Sequence, residues 1–263
     1  KSHGIYNMLK AVCRKSRKRI GIIGGSGPDA GVDLMQKVFK TNRTFLGPGV
    51  GDKDAPIVTL MNVPNAGGPH GAWDLKKGGK EYDELIDSLT TATKQISHLA
   101  DYFCIACNTL HKTQPEIEEF LKEHKINSKF ISIVDTVKEY CIKNKVTSLA
   151  VMGSLMTTDV KDTSPYAPLG KDVDLQSLTD AVRDKQQTAL EMIKVKGPND
   201  PEVQKFFQDV IDSVEADTVL LGCTEFPLMK PKTNKTLIDP TQLLADRLVA
   251  LSWGFEEGYL PES

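Results

Sequence analysis

The chain has 263 residues, with 33 basic and 35 acidic side chains and a formal net charge of −2. This balance gives no reason to expect nucleic acid as the main partner, and no apolar run approaches the roughly 18 residues that cross a membrane. Five cysteines scattered through a chain of this length do not indicate a disulfide framework, so we expect reduced thiols.

Short apolar runs alternate with longer amphipathic segments. The apolar runs have the length of buried strands, and several are rich in valine and isoleucine. Such alternation predicts an α/β fold with parallel sheets flanked by helices. The predicted elements, in chain order, are strand 20–24, helix 29–40, strand 56–63, helix 81–99, strand 102–107, helix 115–124, strand 130–134, helix 135–143, strand 149–152, helices 179–195 and 201–214, strand 218–222 and helix 240–252.

Two pairs of landmarks indicate that the chain repeats itself. The segment "IGIIGGS" at 20–26 resembles "SLAVMGS" at 148–154, and "ADYFCIACNT" at 100–109 resembles "ADTVLLGCTE" at 216–225. Matched landmarks in the same order suggest an internal duplication. The sequence therefore predicts two pseudo-symmetric halves, each a parallel sheet flanked by helices, with a cleft between them.

The landmarks also suggest where the halves divide. We assign residues 19–114 plus 227–263 to the first half, 115–226 to the second, and 1–18 to a basic N-terminal segment. The first 19 residues carry basic side chains and no acidic one. This segment is either a solvated, frayed terminus or a remnant of an organelle-targeting signal, since such signals are basic and poor in acids. We expect a cytoplasmic protein, with the organellar alternative open.

Each repeated segment delivers a cysteine to the end of a predicted strand. Ligands of open parallel sheets bind outside the carboxyl ends of the strands, so Cys107 and Cys223 are expected in one cleft. Asn108, Thr109 and Thr224 follow these cysteines and can donate hydrogen bonds. Such surroundings lower the pKa of a thiol and also suit a carboxylate.

Two thiols that face each other across a small cleft suit proton transfer at a stereocentre. One group removes a hydrogen from one side of a carbon atom, and the other returns a proton from the opposite side. Both groups must serve as acid and as base, which demands similar chemistry on the two sides. A disulfide is the competing interpretation, but its Cα atoms must lie within about 7 Å, which leaves no room for a substrate.

Two other motifs suggest different functions. The turn "GSGPDA" at 25–30 matches the dinucleotide fingerprint, but the second predicted strand ends near Asn62 and Asn65 without the acid that holds a ribose. Cys104 and Cys107 form a CxxC motif that would suit a redox protein, yet it lies within an apolar run, so we expect Cys104 to be structural filler. We predict no cofactor and no metal ligand cluster.

The segments "GIIGGSGPDA", "ACNTLH" and "GCTEFPL" resemble the cofactor-independent aspartate/glutamate racemase superfamily, and most closely its aspartate racemase branch. The resemblance extends from about residue 19 to the last helix. It implies two α/β halves around a catalytic cleft, a homodimer, and a small amino-acid or dicarboxylate substrate. By motif position, Cys107 and Cys223 would be the two acid/base thiols.

The resemblance also implies a set of substrate contacts. Lys161 matches a lysine that contacts substrate in relatives, and Asn65 stands where relatives carry glutamine. His111 is either a residue that supports the site from behind or merely a histidine at a helix start. The substrate-binding residues that we predict are Ser26, Asn65, Asn108, Thr109, Lys161 and Thr224.

The chain departs from the family pattern in two places. Ser26 takes the position of a methionine in the glycine-rich turn. Relatives carry an arginine after the position of Asn65 that grips the side-chain carboxylate, whereas this chain has no arginine until Arg183. His70, Lys76 or Lys77 would have to substitute, and lysine cannot copy a bidentate guanidinium.

The sequence thus predicts an amino-acid racemase that works without pyridoxal phosphate, with aspartate or a close relative as substrate. Alternatives within the enzyme class are a racemase of another amino acid or an isomerase of a dicarboxylic acid. A relative that binds ligand without turnover is the alternative from a different class.

Overall fold

Two four-stranded parallel sheets with the same strand order organise the protein in a computed structural model that describes residues 17–67, 76–255 and 258–260. The orders are β2-β1-β3-β4 and β6-β5-β7-β8, which confirms the predicted α/β fold with two similar parallel sheets. The strands are β1 (Ile20–Gly24), β2 (Val58–Asn62), β3 (Tyr102–Ile105), β4 (Lys129–Phe130), β5 (Ser148–Met152), β6 (Asp174–Gln176), β7 (Thr218–Leu221) and β8 (Thr236–Ile238).

Helices cover both faces of each sheet, as parallel strands require. Short 3-10 turns follow β3 and β7, at Thr109–Thr113 and Phe226–Met229. The α-helices in the described residues are α1 (Pro28–Leu46), α2 (Lys80–Ser97), α3 (Gln114–Glu123), α4 (Ile133–Lys143), α5 (Leu155–Thr158), α6 (Asp180–Lys196), α7 (Pro201–Asp212) and α8 (Pro240–Ser252).

Each sheet contributes to two apolar clusters because successive side chains on a strand point to opposite faces. On β1, Ile22 packs with α1 and α8, whereas Ile23 packs with α2 and α3. On β5, Val151 packs with α4, whereas Met152 packs with α6 and α7. Each sheet therefore has one apolar cluster on each of its two faces.

The two short edge strands differ from the predicted division of the chain. β4 belongs to the first sheet, although we assigned residues 115–226 to the second half, and β8 belongs to the second sheet, although 227–263 was assigned to the first. The last helix packs against the first sheet, where Leu244 and Leu248 of α8 lie in one cluster with Leu34 of α1 and Ile22 of β1.

The predicted strand 130–134 is wrong over most of its length. Only Lys129 and Phe130 pair with β3, and α4 begins at Ile133. Ser132 caps that helix by accepting a hydrogen bond from the Asp135 N–H at 3.2 Å. The apolar run therefore contains the end of a strand and the start of a helix. The Ser132 cap starts the helix within a run whose composition is typical of a strand.

Most of the basic N-terminal segment lies outside the described residues. Arg17 is described, and its guanidinium donates to the backbone oxygens of Lys53, Asp54 and Ala55 and lies 4.6 Å from the ring centre of Trp253. The chain is therefore anchored from Arg17 onward. Within the described ranges, no helix is long and apolar enough to cross a membrane.

Gly21 allows α2 to approach β1 closely, and this packing is testable. A Cβ at this position would lie 2.8 Å from Ile96 Cγ1 and 2.9 Å from Ala100 Cβ. We expect Gly21→Ala to lower the free energy of unfolding by about 1–3 kcal/mol through overpacking. Urea denaturation measures this effect.

Gly170→Ala is the matched control, because its added Cβ would meet only the Leu175 side chain, at ordinary distances of 3.5 Å to Cδ1 and 3.9 Å to Cγ. Its effect should stay within about 0.5 kcal/mol. Equal effects of the two substitutions would contradict the proposed close approach of α2 to β1.

Candidate active site

The ends of β3 and β7 bring two thiols to one small cavity. Cys107 follows β3 and Cys223 follows β7, so the two cysteines occupy corresponding positions in the two halves. Both halves contribute to the cavity wall. The lining residues are Ser26, Cys107, Asn108 and Thr109 from the first half and Ser154, Leu190, Lys194, Gly222, Cys223, Thr224 and Glu225 from the second.

Cys107 is buried and lies against the glycine-rich turn. Its Sγ is 3.4 Å from Ser26 Oγ. Burial raises the pKa of the Cys107 thiol, and the charge of Glu225 adds to that effect. The Ser26 hydroxyl, the Leu110 N–H and the charge of Lys194 act in the opposite direction, because each stabilises a thiolate.

Cys223 has a different partner. Its thiol donates to Glu225 Oε2 at 2.9 Å, and the Thr224 hydroxyl donates to the same oxygen at 3.3 Å. Burial raises the pKa of the Cys223 thiol well above its ordinary value, and the Glu225 carboxylate raises it further by its charge and by accepting the hydrogen bond. The two thiols therefore sit in unequal electrostatic surroundings.

Glu225 is a site residue that the sequence analysis quoted in a motif without assigning a role. Its side chain is only 5% exposed, and its Oε1 has no hydrogen-bond partner in the part of the chain that the structure describes. The carboxylate fits against Gly27, whose φ is 90° and where a Cβ would lie 2.1 Å from Oε1. Gly27 is thus required both for its left-handed backbone and for the space that Glu225 occupies.

The position of Glu225 also bears on the dinucleotide alternative. That fingerprint places a pyrophosphate at the glycine turn and the helix start behind it. Here a buried carboxylate approaches the turn at Gly27 and would repel a phosphate. Among the described residues, no group of three or more histidine, cysteine or acidic side chains could hold a metal ion.

Three hydroxyls link the two halves beside the thiols. Thr109 Oγ1 lies 3.1 Å from Ser154 Oγ and 3.0 Å from Thr157 Oγ1, and the latter two oxygens are 3.0 Å apart. Thr109 belongs to the first half, and Ser154 and Thr157 belong to the second. The hydroxyl of Thr109 is therefore engaged within the protein, while its neighbour Asn108 has a buried Nδ2 without a partner in the described chain.

His111 supports Cys107 from behind and does not line the cavity. Its Nε2 accepts from the Ile133 N–H at 3.0 Å, so the Nδ1 carries the proton and donates to the Cys107 carbonyl oxygen at 2.8 Å. Burial lowers the pKa of His111 to about 4. The neutral imidazole fixes the backbone that carries the thiol.

Two predicted substrate contacts lie away from the cavity. Asn65 is exposed and lines a separate depression with Asp87 and Gln95 of α2, and Lys161 is exposed on a turn. Lys194 of α6 is instead the lysine at the cavity. The predicted residues that the structure brings together are Ser26, Cys107, Asn108, Thr109, Cys223 and Thr224.

The remaining candidates that the structure describes do not line the cavity and contact other parts of the protein. Cys104 of β3 is fully buried in the cluster that packs α1 and α8 on the first sheet and donates to the Gly21 oxygen at 3.7 Å, as expected of structural filler. Lys77 lies 2.6 Å from Glu116 Oε1. Arg183 donates to Thr158 Oγ1 at 3.3 Å. His70 lies outside the described residues.

Comparison with known proteins agrees with the fold and the motifs. A family model described as Asp/Glu/Hydantoin racemase matches residues 23–248. An aspartate racemase from Picrophilus torridus superposes with a TM-score of 0.71 at 21% identity, over 89% of this chain and 94% of that one. An aspartate racemase homologue from Pyrococcus horikoshii OT3 gives 0.65 at 19% identity, over 89% and 99%.

A more distant match is a glutamate racemase from Francisella tularensis subsp. tularensis SCHU S4 in complex with D-glutamate. It superposes with a TM-score of 0.59 at 16% identity, over 94% of this chain and 84% of that one. At these identities, the superpositions establish a shared fold.

The buried neutral state of His111 predicts a pH dependence of stability. Its pKa is about 4 in the folded protein against an ordinary 6.5, so the unfolded chain binds more protons as the pH falls through this range. The stability that depends on the neutral His111 imidazole is therefore fully present above pH 6.5 and is lost as the pH falls toward 4. We expect the free energy of unfolding to be roughly 2 kcal/mol lower at pH 5 than at pH 7.5 from this group.

Urea denaturation at several pH values measures the effect. His111→Gln should flatten the pH dependence between pH 5 and 6.5, even if its overall stability is lower. His98→Gln, at an exposed histidine, should leave the slope unchanged. A His111→Gln variant with the wild-type slope would exclude the buried neutral imidazole as its source.

Proposed function

Because the chain belongs to the Asp/Glu/Hydantoin racemase family, we propose that it is an amino-acid racemase that needs no pyridoxal phosphate and moves a proton at Cα between two thiols. The observation that carries this proposal is the pair Cys107 and Cys223, delivered by corresponding strand ends to one cavity. The substrate Cα would lie between the two sulfur atoms.

Each half-reaction conserves protons and electrons within the site. One sulfur, as thiolate, takes the α-hydrogen as a proton and becomes a thiol, and the bonding electron pair stays on the substrate and spreads into its carboxylate. The opposite thiol then gives its proton to the other face of Cα and becomes a thiolate. The configuration is inverted, and the sulfur atoms exchange roles.

The unequal surroundings support an assignment for the free enzyme. Burial raises the pKa of both thiols, but Cys107 has contacts that oppose this effect and favour a thiolate, namely the Ser26 hydroxyl, a backbone N–H and the charge of Lys194. Cys223 is held as a thiol because its proton is shared with the Glu225 carboxylate. We propose that Cys107 is the base of the resting enzyme, with Cys223 as the acid.

The carbanion-like state needs positive charge or hydrogen-bond donors at the substrate carboxylate. Lys194 supplies charge at the cavity, and Asn108 supplies a side-chain donor. The Thr224 hydroxyl already donates to Glu225 Oε2, so Thr224 would contribute through its backbone N–H. The Thr109 hydroxyl is already shared with Ser154 and Thr157, so its contribution would come from its backbone N–H. Burial strengthens each of these interactions, since the local dielectric constant is lower than in water.

Aspartate is the substrate that we propose, because two of the structural relatives are described as an aspartate racemase and an aspartate racemase homologue. Glutamate and hydantoin-type substrates are alternatives, since a glutamate racemase shares the fold and the family description includes hydantoin. A homodimer remains a prediction that sedimentation equilibrium tests.

The two-thiol mechanism predicts loss of activity at either cysteine. We expect Cys107→Ser and Cys223→Ser each to reduce racemisation by roughly 10²–10⁴-fold, because a hydroxyl is far too weak an acid. The measurement is chiral chromatography of a panel of L- and D-amino acids, with deuterium incorporation at Cα in heavy water.

Cys104→Ser is the matched control, because the new hydroxyl can donate to the Gly21 oxygen that the thiol contacts. It should keep activity, whereas a redox function of the CxxC motif would be abolished. A relative that only binds ligand would incorporate no deuterium into any amino acid. Wild-type activity in either active-site serine variant would refute the two-thiol mechanism.

Glu225→Gln should change the pH dependence in a defined direction. The amide removes the negative charge that raises the pKa of Cys223, so this pKa falls. In the pH profile of kcat/KM, the limb that reports Cys223 should move to lower pH. This is the ascending limb in the direction of reaction where Cys223 is the base, and the descending limb in the direction where it is the acid. Profiles measured with both enantiomers distinguish the two.

Glu215→Gln makes the same chemical change at an exposed glutamate outside the cavity and should leave both profiles unchanged. A shift to higher pH in Glu225→Gln, or no shift, would contradict the role given to the Cys223–Glu225 hydrogen bond.

A further inference from the structure

Tyr166 is a fully buried tyrosine of the second half whose hydroxyl contacts a residue of the cavity wall. Its ring lies in the cluster between the second sheet and α4, with an exposed fraction of 0%. Its O–H donates to Asn108 Oδ1, which belongs to the first half. No sequence motif pointed to this residue, and the proposed chemistry does not use it directly.

The backbone of Tyr166 is held in place by its own hydrogen bonds. Its N–H donates to Ser164 Oγ at 3.1 Å, and the Ser164 hydroxyl donates to the Thr157 carbonyl oxygen at 2.6 Å. Its carbonyl oxygen accepts from the Leu169 N–H at 2.9 Å. The phenol is therefore a fixed group, because both its ring and its backbone are packed and bonded.

The hydrogen-bonding capacity of the two side chains determines the orientation of the Asn108 amide. Burial raises the pKa of Tyr166 well above its ordinary value, so the phenol keeps its proton and donates it. An amide offers one acceptor oxygen and one donor nitrogen. With Oδ1 occupied by the phenol, Nδ2 points away from Tyr166.

Asn108 Nδ2 is the second observation that indicates a ligand. The side chain is 1% exposed and lines the cavity, and Nδ2 has no hydrogen-bond partner among the described residues. A buried N–H group without a partner is rare in proteins, and a catalytic role is one of the recognised reasons for one. The two N–H bonds of this amide are suited to a carboxylate oxygen.

We propose that Tyr166 is a positioning residue that orients the Asn108 amide so that Nδ2 donates to a carboxylate oxygen of the substrate. This inference rests on the proposed function and adds a specific contact to it. Without the phenol, the amide can rotate by half a turn and present Oδ1 to the substrate carboxylate. Two oxygen atoms with partial negative charge would then repel each other.

The repulsion is largest when the carboxylate gains charge during proton abstraction, so kcat should fall more than substrate affinity. Tyr166→Phe keeps the ring and removes only the hydroxyl. We expect roughly 10-fold lower kcat with a smaller change in KM, and roughly 100-fold lower kcat in Asn108→Ala. Tyr82→Phe is the matched control, since the Tyr82 hydroxyl donates to Glu116 away from the cavity.

A double-mutant cycle separates positioning from a general structural effect. If Tyr166 acts through Asn108, Tyr166→Phe should have no further effect on kcat in an Asn108→Ala background. Additive losses in the double variant would overturn the proposal. Unchanged kcat in the single Tyr166→Phe variant would overturn it as well.

A measurement without substrate keeps this inference distinct from the proposed function. In protein labelled with 15N-asparagine, the Asn108 side-chain amide resonances are identified by their loss in Asn108→Ala. They should shift in Tyr166→Phe and stay in place in Tyr82→Phe. Resonances that do not move in Tyr166→Phe would overturn the positioning role, whereas absence of racemisation in the wild-type protein would refute only the proposed function and the substrate contact.

Discussion

The site depends on the close approach of parallel strand ends, which involves different strand pairs in the two halves. In the second half, β5 and β7 come so near that a Cβ at Gly222 would lie 2.6 Å from the Met152 oxygen. In the first half, the close approach is between the ends of β1 and β2, where a Cβ at Gly25 would lie 2.3 Å from the Val63 oxygen. Only glycine fits at these two positions, because any side chain would clash with the neighbouring backbone. Cys223 follows Gly222 directly, and its thiol lies at the cavity.

The two halves are similar in backbone but unequal in charge. A reaction that inverts a stereocentre needs two groups that exchange roles, which the duplicated strand ends provide. The surroundings break this equivalence, because Cys107 faces a hydroxyl and a lysine, whereas Cys223 faces the carboxylate of Glu225. This inequality is the basis of the proposed roles, in which Cys107 is the base and Cys223 the acid of the resting enzyme.

Strand ends and their cysteines could be predicted from the sequence because both depend on local pattern. Cys107 and Cys223 end apolar runs of the length of buried strands, and the carboxyl ends of parallel strands meet at one edge. Ser132 shows the limit of this reasoning, since a cap divides an apolar run into a strand end and a helix start. Lys194 could not be predicted, because its place at the cavity comes from a contact between distant segments. Glu225 stood in the quoted motif, but its hydrogen bond with Cys223 depends on the conformation of the turn after β7, which the sequence pattern does not give.

The hydrogen bonds between the halves explain how a buried polar cavity is compatible with a stable fold. Thr109, Ser154 and Thr157 form a closed set in which each hydroxyl is close enough to donate to one neighbour and accept from the other. Such a set is neutral and satisfies its own polar atoms, so its burial costs little. Among the buried polar atoms that lack a partner in the described residues, Asn108 Nδ2 and Glu225 Oε1 belong to cavity residues. The three hydroxyls that link the halves are thus complete without substrate, whereas Asn108 and Glu225 retain hydrogen-bonding capacity for one.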